Sequence, residues 1–337
     1  MRLNLDTYKN LAVKSLGIGL TNRCNLNCAH CYSRNLKMAD MSLNDIKGIL
    51  NCFPNLQKVN FGTGETIFCP NFLEVMNFLK ENKIKMALTT NGLTVKYLDD
   101  KQIKNFKDVD VSLDFSTAEM HDGWRGINGT FENAIRAIER CCNAGVHTSI
   151  AMALMNINYK HLPNFRSILD RFGISLRINI YKPVYTDEFE LSYSQFWQSM
   201  QLLAENFKIV SISEPILSVI TDITSKGYPC GNSLRIHPDL YVTNCIYLNP
   251  KKAEIIKFNL YKAKPPQFCE KRQCPFLIKC QGGCLGRRIL QNQNGANGPD
   301  KYCPFVNNRK VPNIHFEKST SKTEFIHANY LCTIIAN

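Results

Sequence analysis

The chain has 337 residues, 44% of them apolar, and a formal net charge of +13. That is enough apolar material for one large α/β domain with a smaller appendage, and it excludes a disordered or fibrous chain. The opening residues, MRLNLDTYKNLAVKSLGIGL, hold no apolar run long enough for a signal peptide or a membrane span, so a cytoplasmic protein with no membrane partner is expected.

From Leu16 to about Asn206, short apolar and β-branched runs alternate with stretches of helical period, the pattern of repeated βα units on a parallel sheet. Strands are predicted over 15–20, 58–61, 85–90, 109–114, 148–154 and 175–181. Helices are predicted over 43–52, 71–82, 96–106, 131–144, 160–172 and 193–206, with Ser42 and Thr130 as N-caps. Six units are too few to close an eight-stranded barrel, so the expected fold is a partial (β/α)6 barrel with its site at the C-terminal strand ends. After Pro215 the alternation stops, and from Cys230 the chain is rich in Cys, Gly, Pro and Asn, as in a small metal-stapled domain. The expected division is an N-terminal segment 1–14, the barrel 15–215, a cysteine-rich domain 216–306 and a tail 307–337 that carries no interpretable motif.

Fifteen cysteines in a reducing compartment point to metal ligation, catalysis or burial rather than disulfides. Cys24, Cys28 and Cys31 form C-x3-C-x2-C directly after the first strand, and seven more, from Cys230 to Cys303, fill the last third. Three thiolates hold three corners of a 4Fe-4S cube and leave one iron for a ligand with an amine and a carboxylate. The same spacing leaves open a structural zinc, or a four-cysteine ferredoxin site short of one ligand. Cys52, Cys141 and Cys142 fall on helical patterns as small buried hydrophobes, while Cys69 follows a Gly-rich loop and stays a candidate neighbour of the site. The basic charge suits an acidic peptide or a small acidic electron-transfer protein, and no Lys/Arg run with interleaved aromatics argues for nucleic acid.

CNLNCAHC followed by Tyr32 resembles the radical S-adenosylmethionine superfamily. The resemblance implies that Cys24, Cys28 and Cys31 hold a catalytic 4Fe-4S cluster and that His30 lies by the adenine. FGTGET is similar to the family's G-G-E loop with Thr63 for the first glycine, which matches Gly64 and Glu65 to the methionine amino group; Gly62 is expected to compensate for the lost freedom. Thr90 and Asn91 in TTNG, and Ser112 and Asp114 in VSLDFS, match the family's polar strand ends, Ser112 toward the ribose or carboxylate. Arg125 in WRGINGTF matches an arginine that pairs with the methionine carboxylate.

The later cysteines resemble the SPASM extension, which carries two auxiliary 4Fe-4S clusters. The resemblance implies Cys230, Cys245 and Cys284 on the first, and Cys269, Cys274, Cys280 and Cys303 on the second. Two positions depart from it: Cys269-x4-Cys274 replaces C-x2-C, and Leu240 stands where the family has glycine. The segment GNSLRIHPD also lacks the fourth thiolate that fully ligated members carry after the first cysteine, so an open iron is expected, with His237 an imaginable ligand that reads more simply as a core histidine.

The family's chemistry is one-electron cleavage of S-adenosylmethionine to a 5′-deoxyadenosyl radical, which abstracts hydrogen from substrate carbon. SPASM members imply a ribosomally made precursor peptide as substrate, modified by crosslinking, epimerisation or backbone editing such as tyramine excision. They also imply a flavodoxin- or ferredoxin-type reductant. Because only about fifteen residues precede the first strand, a separate leader-peptide-binding partner is expected. The alternatives are a SPASM enzyme acting on a small molecule or maturing a sulfatase-type protein, and a non-catalytic electron-transfer protein.

Overall fold

The computed structural model describes residues 13–34, 36–221, 234–243, 245–248, 266–291, 298–320 and 332–337. They fall into two compact units, one built from the chain up to Ala151 with 232–246, the other from Met152 onward with 247–324 and Leu331–Asn337.

The first unit is an α/β layer. Strands β1 (Ser15–Ile18), β2 (Lys58–Phe61), β3 (Lys85–Thr90), β4 (Phe106–Ser112) and β5 (His147–Leu154) pair in parallel in that order. Beyond β1 lies β8 (Leu234–Ile236), parallel to it, and then β9 (Val242–Thr243), antiparallel. The strand order is open, with no pair closing a ring, as in a partial barrel. Strands such as VNF and MAL are buried along their length, as expected for a parallel sheet covered by its own crossover helices.

Helices α1 (Leu43–Cys52) and α2 (Phe72–Glu81) cover this sheet, and α2 turns Phe72, Val75, Met76 and Leu79 inward at helical spacing. Ser42 caps α1 as expected, its hydroxyl accepting from Asp45 N–H while Asp45 accepts from Ser42 N–H at 2.7 Å. The helix predicted over 96–106 is instead two short ones, α3 (Leu93–Tyr97) and α4 (Asp100–Ile103), and Phe106 opens β4. The break is local: Leu98 is extended, and the Asp99 carboxylate caps a fresh start that the Gln102 side chain reciprocates. Sequence periodicity also passed over α5 (Ala118–Arg125), capped by Thr117 and ended by left-handed Gly126. In α6 (Thr130–Asn143) the cap is Gly129; Thr130 is the first helical residue, and its hydroxyl donates to Asp122 at 2.7 Å.

The second unit holds a 3-10 turn (Tyr159–Phe165) that runs into α7 (Arg166–Phe172), then β6 (Ser175–Ile180), α8 (Tyr193–Asn206), β7 (Ile209–Ile212) and α9 (Pro215–Ile220). Short helices α10 (Gln267–Lys271), α11 (Leu277–Cys280) and α12 (Leu285–Gln291) carry or flank its cysteines. The chain's last residues form β10 (Thr333–Ala336), antiparallel to both β6 and β7 and seated between them. Among the described residues no helix is long and apolar enough to cross a membrane.

Leu240, standing where the SPASM pattern has glycine, turns the β8–β9 hairpin with φ +64°. An L side chain in that region crowds its own carbonyl. Leu240→Gly is therefore expected to stabilise the chain by roughly 0.5–1 kcal/mol, read as a higher denaturation midpoint at unchanged slope. A lower midpoint would contradict the left-handed turn.

Candidate active site

The cysteine loop leaves the C-terminal end of β1. Cys24 is exposed, Cys31 half-buried and Cys28 buried at 6% exposure. Cys31 N–H donates to Cys28 O at 3.2 Å, and Leu26 N–H donates to the Cys24 sulfur at 3.4 Å. Burial pushes the Cys24 thiol up to about 12, and Glu65, Cys28 and Cys31 add to the rise, so the three thiols lie within electrostatic reach of one another. Among the described residues no three His, Cys, Asp or Glu side chains converge tightly enough to share a single ion. A four-iron cube asks less of them, because each thiolate takes its own iron.

The loop after β2 locks onto this segment. Glu65 N–H donates to Arg23 O at 2.7 Å, and Gly64 is left-handed at φ +61° with a hypothetical Cβ only 2.4 Å from Arg23 O. Thr63, standing for the family's first glycine, is buried, and Tyr32 OH reaches both Gly62 O (2.7 Å) and the Thr63 hydroxyl (3.2 Å). Room for Thr63 comes from Gly19 of β1's extension, whose Cβ would stand 2.9 Å from Thr63 Cβ. Gly62 is not left-handed, so the expected compensation is made across the sheet by Gly19.

Glu65 is 1% exposed and collects four donors. Asn91 N–H and Thr94 N–H donate at 2.8 Å each, and the hydroxyls of Thr90 and Thr94 complete the set. Burial raises the carboxyl while these hydrogen bonds oppose the rise. Asn91, freed by the left-handed Gly92 that follows it, reaches back to Asn25 at 2.9 Å and toward the Cys24 sulfur. Thr94, which the sequence reading did not single out, is thus part of the Glu65 cradle.

At the end of β4, Asp114 is fully buried and pairs with Arg125 of α5 at 2.6 Å. The other Arg125 terminus donates to the Cys28 sulfur at 3.5 Å. His30 Nε2 stands 3.8 Å from the same Asp114 oxygen, and its ring stacks on Trp124 at 5.3 Å and 17°. Asp114 N–H donates to His121 Nδ1 at 3.2 Å, which leaves the His121 proton on Nε2. Ser112 ends β4 half-buried and no hydrogen bond ties it to this group. Trp124 and His121 were also passed over, although WRG in the sequence adjoins Arg125.

Cys69, buried, donates to Met41 O at 3.6 Å. His237 is 3% exposed and hydrogen-bonded to Thr243 at 3.1 Å, a core histidine.

In the second unit Cys269, Cys274, Cys280 and Cys303 act on one another: Cys303 and Cys274 raise Cys269, Cys303 raises Cys280, and Cys274 raises Cys303, each beside a larger rise from burial. The run QGGC turns through left-handed Gln281, Gly282 and Gly283, where a Cβ on Gly283 would stand 2.4 Å from Asp300. Cys284 N–H donates to Asp300 at 2.9 Å. Cys245 is half-buried just past β9, and Cys230 lies outside the described residues.

Two buried atoms are left for a ligand to satisfy, since His30 Nδ1 and Arg125 Nε have no hydrogen-bond partner among the described residues. A nucleoside-bearing cofactor fits the Nδ1 acceptor and the flat His30–Trp124 stack. Residues 18–168 match the Radical SAM superfamily model. The chain carries a radical S-adenosylmethionine domain. It is 32% identical over 171 residues to a mycofactocin maturase of Mycobacterium tuberculosis, covering 49% of this chain and 44% of that one. The match to the subtilosin biosynthesis protein AlbA of Bacillus subtilis is 25% over 88% of this chain and 71% of AlbA. The chain thus spans less than half of the maturase. Among solved structures, anSMEcpe with bound AdoMet and a Cp18Cys peptide superposes with TM-score 0.65 at 19% identity, covering 87% of this chain and 94% of that one. Streptococcus suis SuiB bound to precursor peptide SuiA gives 0.63 at 16%, covering 88% and 77%. At these identities the structures establish the shared fold.

Two outcomes follow from the packing. Gly19→Ala is expected to destabilise by about 1–3 kcal/mol through the clash with Thr63, and adding Thr63→Gly should recover most of it; additive losses in denaturant melts would refute that contact. Burial drives His30, His121 and His237 each down to about 4 from the ordinary 6.5. Between those values the unfolded chain binds protons that the folded chain refuses, so stability falls as pH drops from 6.5 toward 4. His237→Gln should flatten that decline in pH-dependent melts, and an unchanged slope would count against a buried neutral His237.

Proposed function

We propose that the chain is a radical S-adenosylmethionine maturase acting on a ribosomally made precursor peptide. The observation that carries this reading is the convergence of the cysteine loop with Glu65, Asp114, Arg125 and the His30–Trp124 stack at the strand ends of one sheet. A mycofactocin maturase and a bacteriocin biosynthesis protein among its relatives, the latter aligned along most of this chain, support the substrate class.

In this reading Cys24, Cys28 and Cys31 hold a 4Fe-4S cluster, and Cys230, Cys245 and Cys284, with Cys269, Cys274, Cys280 and Cys303, hold two auxiliary clusters. Bound there, the cluster and S-adenosylmethionine would supply one-electron cleavage of the sulfonium and hydrogen abstraction from substrate carbon. The chain's own residues position and shield. Glu65, its carboxylate fixed by four donors, is held rigid and would receive a cofactor amino group. Arg125 sets a buried positive charge beside Cys28, where it would pair with a cofactor carboxylate, and Asp114 keeps that charge oriented. His30, neutral because it is buried, offers Nδ1 as an acceptor to an adenine amino group while Trp124 backs its ring. Thr90, Asn91 and Ser112 line the same strand ends. Cytoplasmic location, a flavodoxin- or ferredoxin-type reductant and a separate leader-binding protein belong to this proposal.

Anaerobically reconstituted, dithionite-reduced protein should convert S-adenosylmethionine to 5′-deoxyadenosine and methionine, and Cys28→Ala should abolish the conversion. With a precursor peptide encoded beside the gene, a mass shift is expected. Iron bound without cleavage removes the enzyme reading, and turnover on a metabolite with no peptide shifted removes the maturase.

A further inference from the structure

The first auxiliary cluster, as read above, lacks a fourth thiolate, because GNSLRIHPD offers none after Cys230. The fold brings a cysteine from elsewhere. Cys332 precedes β10, whose antiparallel register sets Thr333 opposite Asn179 of β6. That register is pinned at the same point by Thr333 N–H donating to Ser213 Oγ at 3.0 Å and Ser213 N–H donating to Thr333 O at 2.8 Å. Cys332 is consequently 3% exposed, and its sulfur lies 3.7 Å from that of Cys284, itself 1% exposed. The separation is far beyond an S–S bond, and neither sulfur is in a disulfide. Cys332 is the one cysteine of the second unit to which the SPASM pattern gives no role.

The charges around the pair point to an anion. Lys182, just past β6, is 2% exposed, and no carboxylate pairs with it among the described residues. Its ammonium donates to Ile180 O at 3.2 Å, lies 4.2 Å over the Tyr247 ring and is acted on by Cys284 and Cys332. A buried ammonium without a counter-charge is strongly disfavoured. Arg287, fully buried and already paired with Asp300 and Glu214, also bears on Cys284, and its Nη1 has no hydrogen-bond partner among the described residues. Two thiols alone give Lys182 no counter-charge; two thiolates on a metal cluster supply it.

We propose that Cys332 is a thiolate ligand beside Cys284 on the first auxiliary cluster, closing its coordination from the C-terminal strand. Ligation releases the thiol proton and forms one iron–sulfur bond, with no change of oxidation state. The cluster then has no iron free for substrate and serves to pass electrons. This inference rests on the auxiliary-cluster reading and replaces the open iron expected from the sequence.

The full chain with Cys24, Cys28 and Cys31 all changed to Ala isolates the auxiliary clusters, and after anaerobic reconstitution it should hold about eight irons. In that background, Cys332→Ala should alter the EPR signal of one reduced cluster and open it to 13C-labelled cyanide, seen as a hyperfine coupling absent from the parent. Cys332→Ser should keep the iron count and shift the same signal. Cyanide coupling already present in the parent, or spectra and iron content indifferent to both Cys332 variants, overturns the proposal. A Cys284–Cys332 disulfide in the reconstituted protein, found by alkylation and mass, overturns it as well. A parent without iron overturns the auxiliary-cluster reading along with it.

Discussion

A guanidinium that is 9% exposed must have its charge met where it stands, and much of the first unit's site follows from how Arg125 meets that condition. Asp114 supplies the counter-charge at 2.6 Å, which ties α5 to the end of β4. With α5 come His121, which accepts the Asp114 N–H, and Trp124, which lies against the His30 ring. A second donor of Arg125 falls on Cys28. One ion pair therefore fixes a cysteine, a stacked imidazole and a positive charge in the same place, from segments about a hundred residues apart in sequence.

The second unit answers the same demand with another arginine. Arg287 is fully buried and is matched by two carboxylates, Asp300 and Glu214 at 2.7 Å. Asp300 does more than neutralise: it accepts the backbone N–H of Cys284 and of Tyr302, the neighbour of Cys303, and it fills the space that Gly283 leaves. The backbone at Cys284 and beside Cys303 is thus tied to a single carboxylate. Tyr302 is held in turn by stacking on Phe196 of α8 and by donating to Leu191 O, so the cysteine-bearing loops share α8's packing.

Long elements with one buried face were legible in the sequence, because their apolar period is written residue by residue: α1, α2 and α8 lie within a residue of their predicted bounds. Elements held by polar chemistry were not. The restart at Asp99, the transfer of the α6 cap from Thr130 to Gly129, and α5 itself depend on single side chains, and a window average hides them. The substitution of Thr63 in the Gly-rich loop was visible, but its accommodation by Gly19 was not, since those residues meet only when β1 and β2 pair.

The sequence by itself determined the C-x3-C-x2-C motif, the order of polar strand ends and the repeated βα pattern, because each is carried by residues close together in the chain. Tertiary structure alone decided that Trp124 backs His30, that Thr94 completes the Glu65 cradle, and that Cys332 meets Cys284. These are contacts between distant segments, and the register of a parallel sheet, or of a last strand threaded between two earlier ones, is set by burial and backbone pairing that no local spacing encodes.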